Sequence, residues 1–142
     1  MRTSVVRSTF ILLIAFLSGL VHAEVAIIAN LANPESSLSA NEAKKIFLGK
    51  RASFPSGSWV TPVDLSKGSA TRDIFYKKLA TKNSAQMSAY WSKLIFSGKA
   101  TPPKELPDDV SVKAWIANNK DGLGYINIDS VDTSIKVLLI LQ

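Results

Sequence analysis

The chain has 142 residues, with 17 Lys and Arg against 11 Asp and Glu, for a formal net charge of +6. It has no Cys and a single His, so disulfides, thiol nucleophiles and the usual Cys- and His-based metal centres are excluded. The basic residues are scattered and form no dense stripe among aromatics, so no nucleic-acid partner is expected.

The N-terminus has the pattern of an export signal. Arg2 and Arg7 make a positive segment, residues 10–17 are an uncharged apolar run, and Val21 and Ala23 supply small residues where a signal peptidase reads. The run is shorter than the ~20 residues of a bilayer span. We therefore expect residues 1–23 to be a cleaved signal peptide, with a periplasmic destination. No Cys follows the run, so no lipid anchor is expected. Residues 24–142 then form one domain of 119 residues (142 less 23), a size that supports a single core. Loss of Arg2 and Arg7 lowers the charge to +4, and loss of His22 leaves the domain without His. Acid–base and nucleophilic catalysis lose their commonest residues, and no cofactor is expected.

The mature part starts with a short β-branched run, residues 25–29, which predicts a buried strand. A loop follows over residues 30–37. Ser39 with Glu42 three residues later forms a capping box for a helix whose stripe is Ala43, Ile46 and Phe47, and Gly49 is placed to end it in a left-handed turn. Residues 50–58 form another loop, and residues 59–63 predict a strand with Pro62 near its edge. A second helix is expected from Ser69 to about Leu79. A third runs from Ser84 to Phe96, with Met87, Tyr90, Trp91, Leu94 and Ile95 at amphipathic spacing, which points to core. Residues 101–107, with three prolines, predict an extended connector. Asp108 or Asp109 starts a fourth helix through Asn118 that buries Val112, Trp115 and Ile116. Residues 124–128 and 135–141 complete the strands, and the last is apolar enough to expect cover on both faces. Strands separated by helices indicate an α/β sandwich with a mostly parallel sheet. Trp59 and Tyr125 are read as core, and Asp129 with Asp132 as a solvated turn.

One segment stands out chemically: Asp64-Leu-Ser-Lys-Gly-Ser-Ala-Thr-Arg72, a strand end passing through small residues into a helix. A helix start presents unpaired N–H groups and a positive dipole end to an oxyanion. Gly68 and Ala70 permit close approach, Ser69 and Thr71 carry hydroxyls, and Arg72 could close a fork on a tetrahedral anion. The same residue types are also ordinary helix caps, and composition alone leaves both readings open. Asp64 beside Ser66 and Ser69 has no base to make an activated hydroxyl, so no enzyme activity is expected.

Three strings in order resemble a known family. Leu38-Ser-x-x-Glu-x-x-Lys-Ile-Phe-Leu-Gly-Lys50 is similar to a helix and exit turn in the second lobe of the periplasmic phosphate-binding proteins of ABC transporters. Gly68-Ser-Ala-Thr-Arg72 resembles their phosphate loop, and Asp121-Gly-Leu-Gly-Tyr-Ile126 resembles a later turn and strand. The resemblance implies a single three-layer lobe of a type II periplasmic binding protein, with a mostly parallel or mixed sheet flanked by about four helices. It implies inorganic phosphate or a similar oxyanion as ligand, held at Gly68, Ser69, Ala70, Thr71 and Arg72, and a link to ABC-type phosphate uptake or sensing. Leu65 stands where the family places a phosphate-gripping arginine. The opposing lobe, including the carboxylate that accepts a proton from hydrogen phosphate, has no counterpart here. A second chain, either a homodimer partner or an envelope protein, would have to supply the missing wall. The alternative is an envelope interaction or regulatory module that keeps the fold without strong ligand binding.

Overall fold

The computed structural model describes residues 23–142, so the expected signal segment lies, except for Ala23, outside the described residues. The elements are β1 (Val25–Ala29), α1 (Ala40–Phe47), β2 (Thr61–Leu65), α2 (Ala70–Ala80), α3 (Ser84–Phe96), β3 (Lys104–Leu106), α4 (Asp109–Ala117), β4 (Gly122–Asn127) and β5 (Lys136–Leu141). A 3-10 turn at Ile128–Ser130 follows β4. Among the described residues no helix is long and apolar enough to cross a membrane.

The five strands form one sheet in the order β3-β2-β4-β1-β5. β2 runs parallel to β3 and β4, whereas β1 is antiparallel to both β4 and β5. The sheet is thus mixed, with β1 inserted antiparallel between β4 and β5. β5 lies at the edge of the sheet, and, contrary to expectation, its side chains are not covered on both faces. Ile140 is 43% exposed, whereas Leu138 and Leu141 are buried.

Consecutive residues of β4 separate the layers. Gly124 lies under α4, where a Cβ would meet Val112 and Ile116. Tyr125 points to the other face and stacks on Phe75 of α2, with ring centroids 3.6 Å apart and planes within 5°. Phe47 of α1 packs edge-on against both of these rings. Helices α1 and α2 therefore cover one face and α4 the other, because side chains alternate along a strand. The result is the three-layer α/β lobe.

The helix boundaries follow the capping chemistry. Ser39 and Glu42 make their reciprocal bonds at α1, and Asn83 with Gln86 does the same at α3. At the end of α1, the Gly49 and Lys50 N–H groups reach back to Ile46 and Lys45, with Gly49 at φ 71°. The Trp59 region departs from expectation. β2 begins two residues later, because Val60 N–H bonds to the Ala52 carbonyl and Ser53 pairs with Trp59 in an isolated bridge. Trp59 is 66% exposed and is not core. Pro62 is tolerated in an interior strand because pairing with β3 starts only at Val63. The connector after α3 contains β3, too short and too rich in flanking proline to announce itself as a strand. In α3 only Met87 and Trp91 of the apolar stripe are buried; Ile95 is exposed.

Candidate functional site

β2 ends at Leu65, and residues 66–69 turn the chain into α2. The turn is fixed by two bonds: Ser69 N–H donates to the Ser66 carbonyl (3.1 Å) and Ser66 N–H to the Leu106 carbonyl of β3 (3.0 Å). Gly68 sits at φ 91°, a region that costs a side-chain-bearing residue strain. Nothing lies within 4 Å of where its Cβ would be, so the loop faces open space there. Ser69 is the N-cap, and its Oγ accepts from Arg72 N–H at 3.2 Å. The Asp73 N–H bonds to the Ser69 carbonyl. Between them, the Ala70 and Thr71 N–H groups occupy helix-start positions that have no intrahelical acceptor. Ala70 is exposed and Thr71 partly so.

Four of the expected site residues, Gly68, Ser69, Ala70 and Thr71, thus gather around one exposed helix start. The side chain of Arg72 goes elsewhere. Arg72 is only 2% exposed, and its Nε lies 3.4 Å from Oδ2 of Asp64, which is equally buried. Its guanidinium also lies over the Tyr76 ring, 5.2 Å from the centroid. The outward fork expected of Arg72 is replaced by an inward ion pair, because Arg72 and Tyr76 are four residues apart and share the sheet-facing side of α2.

Asp64 is the centre of that buried cluster. The Tyr76 hydroxyl donates to Oδ2 at 2.8 Å, and the Tyr125 hydroxyl donates to Oδ1. The Tyr125 hydroxyl in turn accepts from Leu65 N–H at 3.3 Å. Burial raises the Asp64 carboxyl above its ordinary value, against the opposing pull of Tyr125, Arg72 and Tyr76. The Tyr76 and Tyr125 hydroxyls are pushed well up, first by burial and then by the adjacent carboxylate. For Arg72, burial works against the charge, and the combined pull of Asp64, Tyr76 and Tyr125 outweighs it. Both tyrosines therefore serve as proton donors in hydrogen bonds. With its oxygens engaged in this way, Asp64 is a structural anchor and does not activate Ser66 or Ser69.

Sequence reading missed Tyr76, Tyr125 and Arg72 as a set. A signal was present: Asp64 lies between Val63 and Leu65 in a strand, and a charge there needs buried partners. In the turn after β4, Asp132 is held by Lys113 at 2.7 Å and by Ser134, and its carboxyl lies well below the usual range because of those bonds, Lys113 first.

No protein-family model and no curated protein matches the chain by sequence. Solved structures match it by fold. An ABC-type phosphate transport receptor from Vibrio cholerae superposes with a TM-score of 0.65 at 20% identity, over 82% of this chain and 46% of that one. A putative phosphate ABC transporter substrate-binding protein from Clostridium perfringens, with bound phosphate, gives 0.64 at 22% identity, over 82% and 45%. PstS from Borrelia burgdorferi gives 0.61 at 11% identity, over 82% and 47%. The chain thus spans less than half the length of these receptors, and it has the fold of one lobe of a PstS-like phosphate transport receptor.

Proposed function

We propose that this protein is a non-enzymatic, exported module that binds phosphate or a similar oxyanion at the start of α2. The supporting observation is the exposed turn itself: Ala70 is exposed and Ser69 and Thr71 partly so, and the Ala70 and Thr71 N–H groups stand at the positive end of an 11-residue helix. Gly68 shapes the turn. Arg72 acts from beneath as a positioning residue, tying the first turn of α2 to Asp64. The fold shared with phosphate receptors supports the choice of anion.

A single lobe leaves the anion open to water on one side. Each hydrogen bond is then worth about 0.5–1.5 kcal/mol net, and a few of them correspond to dissociation constants of roughly 0.1–10 mM. A link to ABC-type uptake or sensing would need a second wall from another chain. In this reading residues 1–23 are removed on export, leaving residues 24–142 as the working domain.

Titration of the mature protein with phosphate and sulfate, followed by amide resonances, tests the proposal. Phosphate should shift the Ala70 and Thr71 amides saturably, and the double variant Ser69→Ala, Thr71→Ala should lose the response. Unmoved Ala70 and Thr71 amides at tens of millimolar phosphate would remove the binding function.

A further inference from the structure

The end of α3 presents two large apolar side chains to solvent. Phe96 is 95% exposed and Ile95 54%, and of the large apolar residues exposed among the described residues only these two adjoin in sequence. The backbone beneath them is fixed. Gly98 at φ 68° closes the helix, its N–H donating to the Ile95 carbonyl and the Lys99 N–H to the Leu94 carbonyl. None of residues 92–102 is buried. A lone exposed apolar residue needs no explanation, but an adjacent pair held on a capped helix end forms a tip that a partner can cover.

The charge around the tip sets the sign of that partner. Between residues 74 and 104 the chain has six Lys (Lys77, Lys78, Lys82, Lys93, Lys99 and Lys104) and no Asp or Glu. The mature chain carries +4, so this stretch holds +6 and the rest −2 (+4 less +6). None of the six forms an ion pair among the described residues. Lys93 stands three residues before Phe96, on the same side of the helix, and Lys99 three residues after it; both are exposed. Two features favour a lipid surface over a protein. Protein interfaces are poor in Lys and rich in Arg, and this stretch has no Arg. The apolar patch is also only two side chains wide, far short of the roughly 800 Å² that each partner of a stable protein complex buries. A bilayer needs no matching pocket, because insertion of an apolar side chain and attraction to anionic headgroups add together. We propose that the α3 tip docks on an anionic bilayer surface. Phe96 and Ile95 enter the boundary between headgroups and acyl chains, and Lys93 and Lys99 lie against the lipid phosphates. The surface shares no residue with the turn from Gly68 to Thr71, so it stands whether or not that turn binds phosphate.

Cosedimentation of the mature protein with vesicles tests this, using phosphatidylcholine alone and phosphatidylcholine with about one-third phosphatidylglycerol. At low salt, half the protein should sediment with the anionic vesicles at roughly 0.1–1 mM lipid, and neutral vesicles should bind at least about tenfold more weakly. Sodium chloride at about 0.5 M should release it. The double variant Ile95→Ser, Phe96→Ser should weaken binding about tenfold or more by removing the inserted surface. Lys93→Gln with Lys99→Gln should weaken it by about tenfold through lost charge. All four side chains are exposed, so both variants should keep the wild-type urea midpoint. The proposal is overturned if anionic vesicles bind nothing at about 5 mM lipid, or if neutral vesicles bind equally well. It is also overturned if the serine variant binds like wild type, which would leave only diffuse attraction of a basic domain. Sedimentation equilibrium covers the remaining occupant: a dimer at tens of micromolar that the serine variant dissociates would assign the tip to a second copy of this chain and overturn the membrane role.

Discussion

The segment from Asp64 to Arg72 has two sides that obey opposite rules. On the inner side, Asp64, Arg72, Tyr76 and Tyr125 form a buried cluster in which charge is tolerated because the Asp64 oxygens have donors. On the outer side, Gly68 and Ala70 are exposed, Ser69 and Thr71 partly so, and the Ala70 and Thr71 N–H groups have no intrahelical acceptor. The buried side fixes where α2 begins, and the exposed side inherits that position. The proposed anion site would owe its fixed position to the polar cluster beneath it.

The largest effect should come from breaking the inner side. Arg72→Met leaves Asp64 buried without a countercharge and should cost about 3–5 kcal/mol, read as a lowered urea midpoint. A loss below about 1 kcal/mol would show that the two tyrosines suffice.

Overpacking the other face comes next. A Cβ at Gly122 would meet Trp115 at 2.6 Å and the Asn119 carbonyl at 3.1 Å. Gly122→Ala should therefore cost about 1–3 kcal/mol in the same urea assay. Because it disturbs α4 and not α2, it should leave the phosphate response of the Ala70 and Thr71 amides unchanged in protein that remains folded. A lost response would mean that the two faces are coupled.

On the outer side, Ser69→Ala removes the N-cap and should lower stability by about 1 kcal/mol while weakening phosphate binding. A stability loss with binding intact would reduce the loop to a cap.

The smallest signal concerns pH. The Asp64 carboxyl is raised by burial above its ordinary value of 3.8, so the native state holds its proton more tightly than the unfolded chain. Its contribution to stability is fully present below 3.8 and falls as pH rises through the native value. Asp132 and Glu42 run the other way, since bonds to Lys113 and to Ser39 respectively hold them low and their contributions fade on acidification. The stability of wild type relative to Asp64→Asn should thus decline as pH rises through the window just above 3.8. A flat difference curve would place Asp64 outside the titrating set.

Helix starts were legible in the sequence wherever capping chemistry is local. Ser39 with Glu42, Ser69 and Asp108 each mark a boundary through bonds spanning three residues. The turn into α2 is legible for the same reason, since Gly68 to Thr71 are contiguous. The exposure of Trp59 is not legible in the sequence, because nothing local records that Ala52 and Ser53 pair with its segment. β3 was missed because three residues between prolines become a strand only when β2 lies beside them.

Sequence by itself determined the α/β class, the four helices, most strands and the place of the α2 turn, because these depend on periodicity and on bonds between near neighbours. Only the tertiary structure decided that Arg72 turns inward, since its partner Asp64 lies eight positions back on a strand and Tyr125 reaches that carboxylate from 61 positions away. The reason is energetic. A charged side chain on a helix is drawn to water by default, and burial wins only where distant parts of the chain assemble enough partners to replace it.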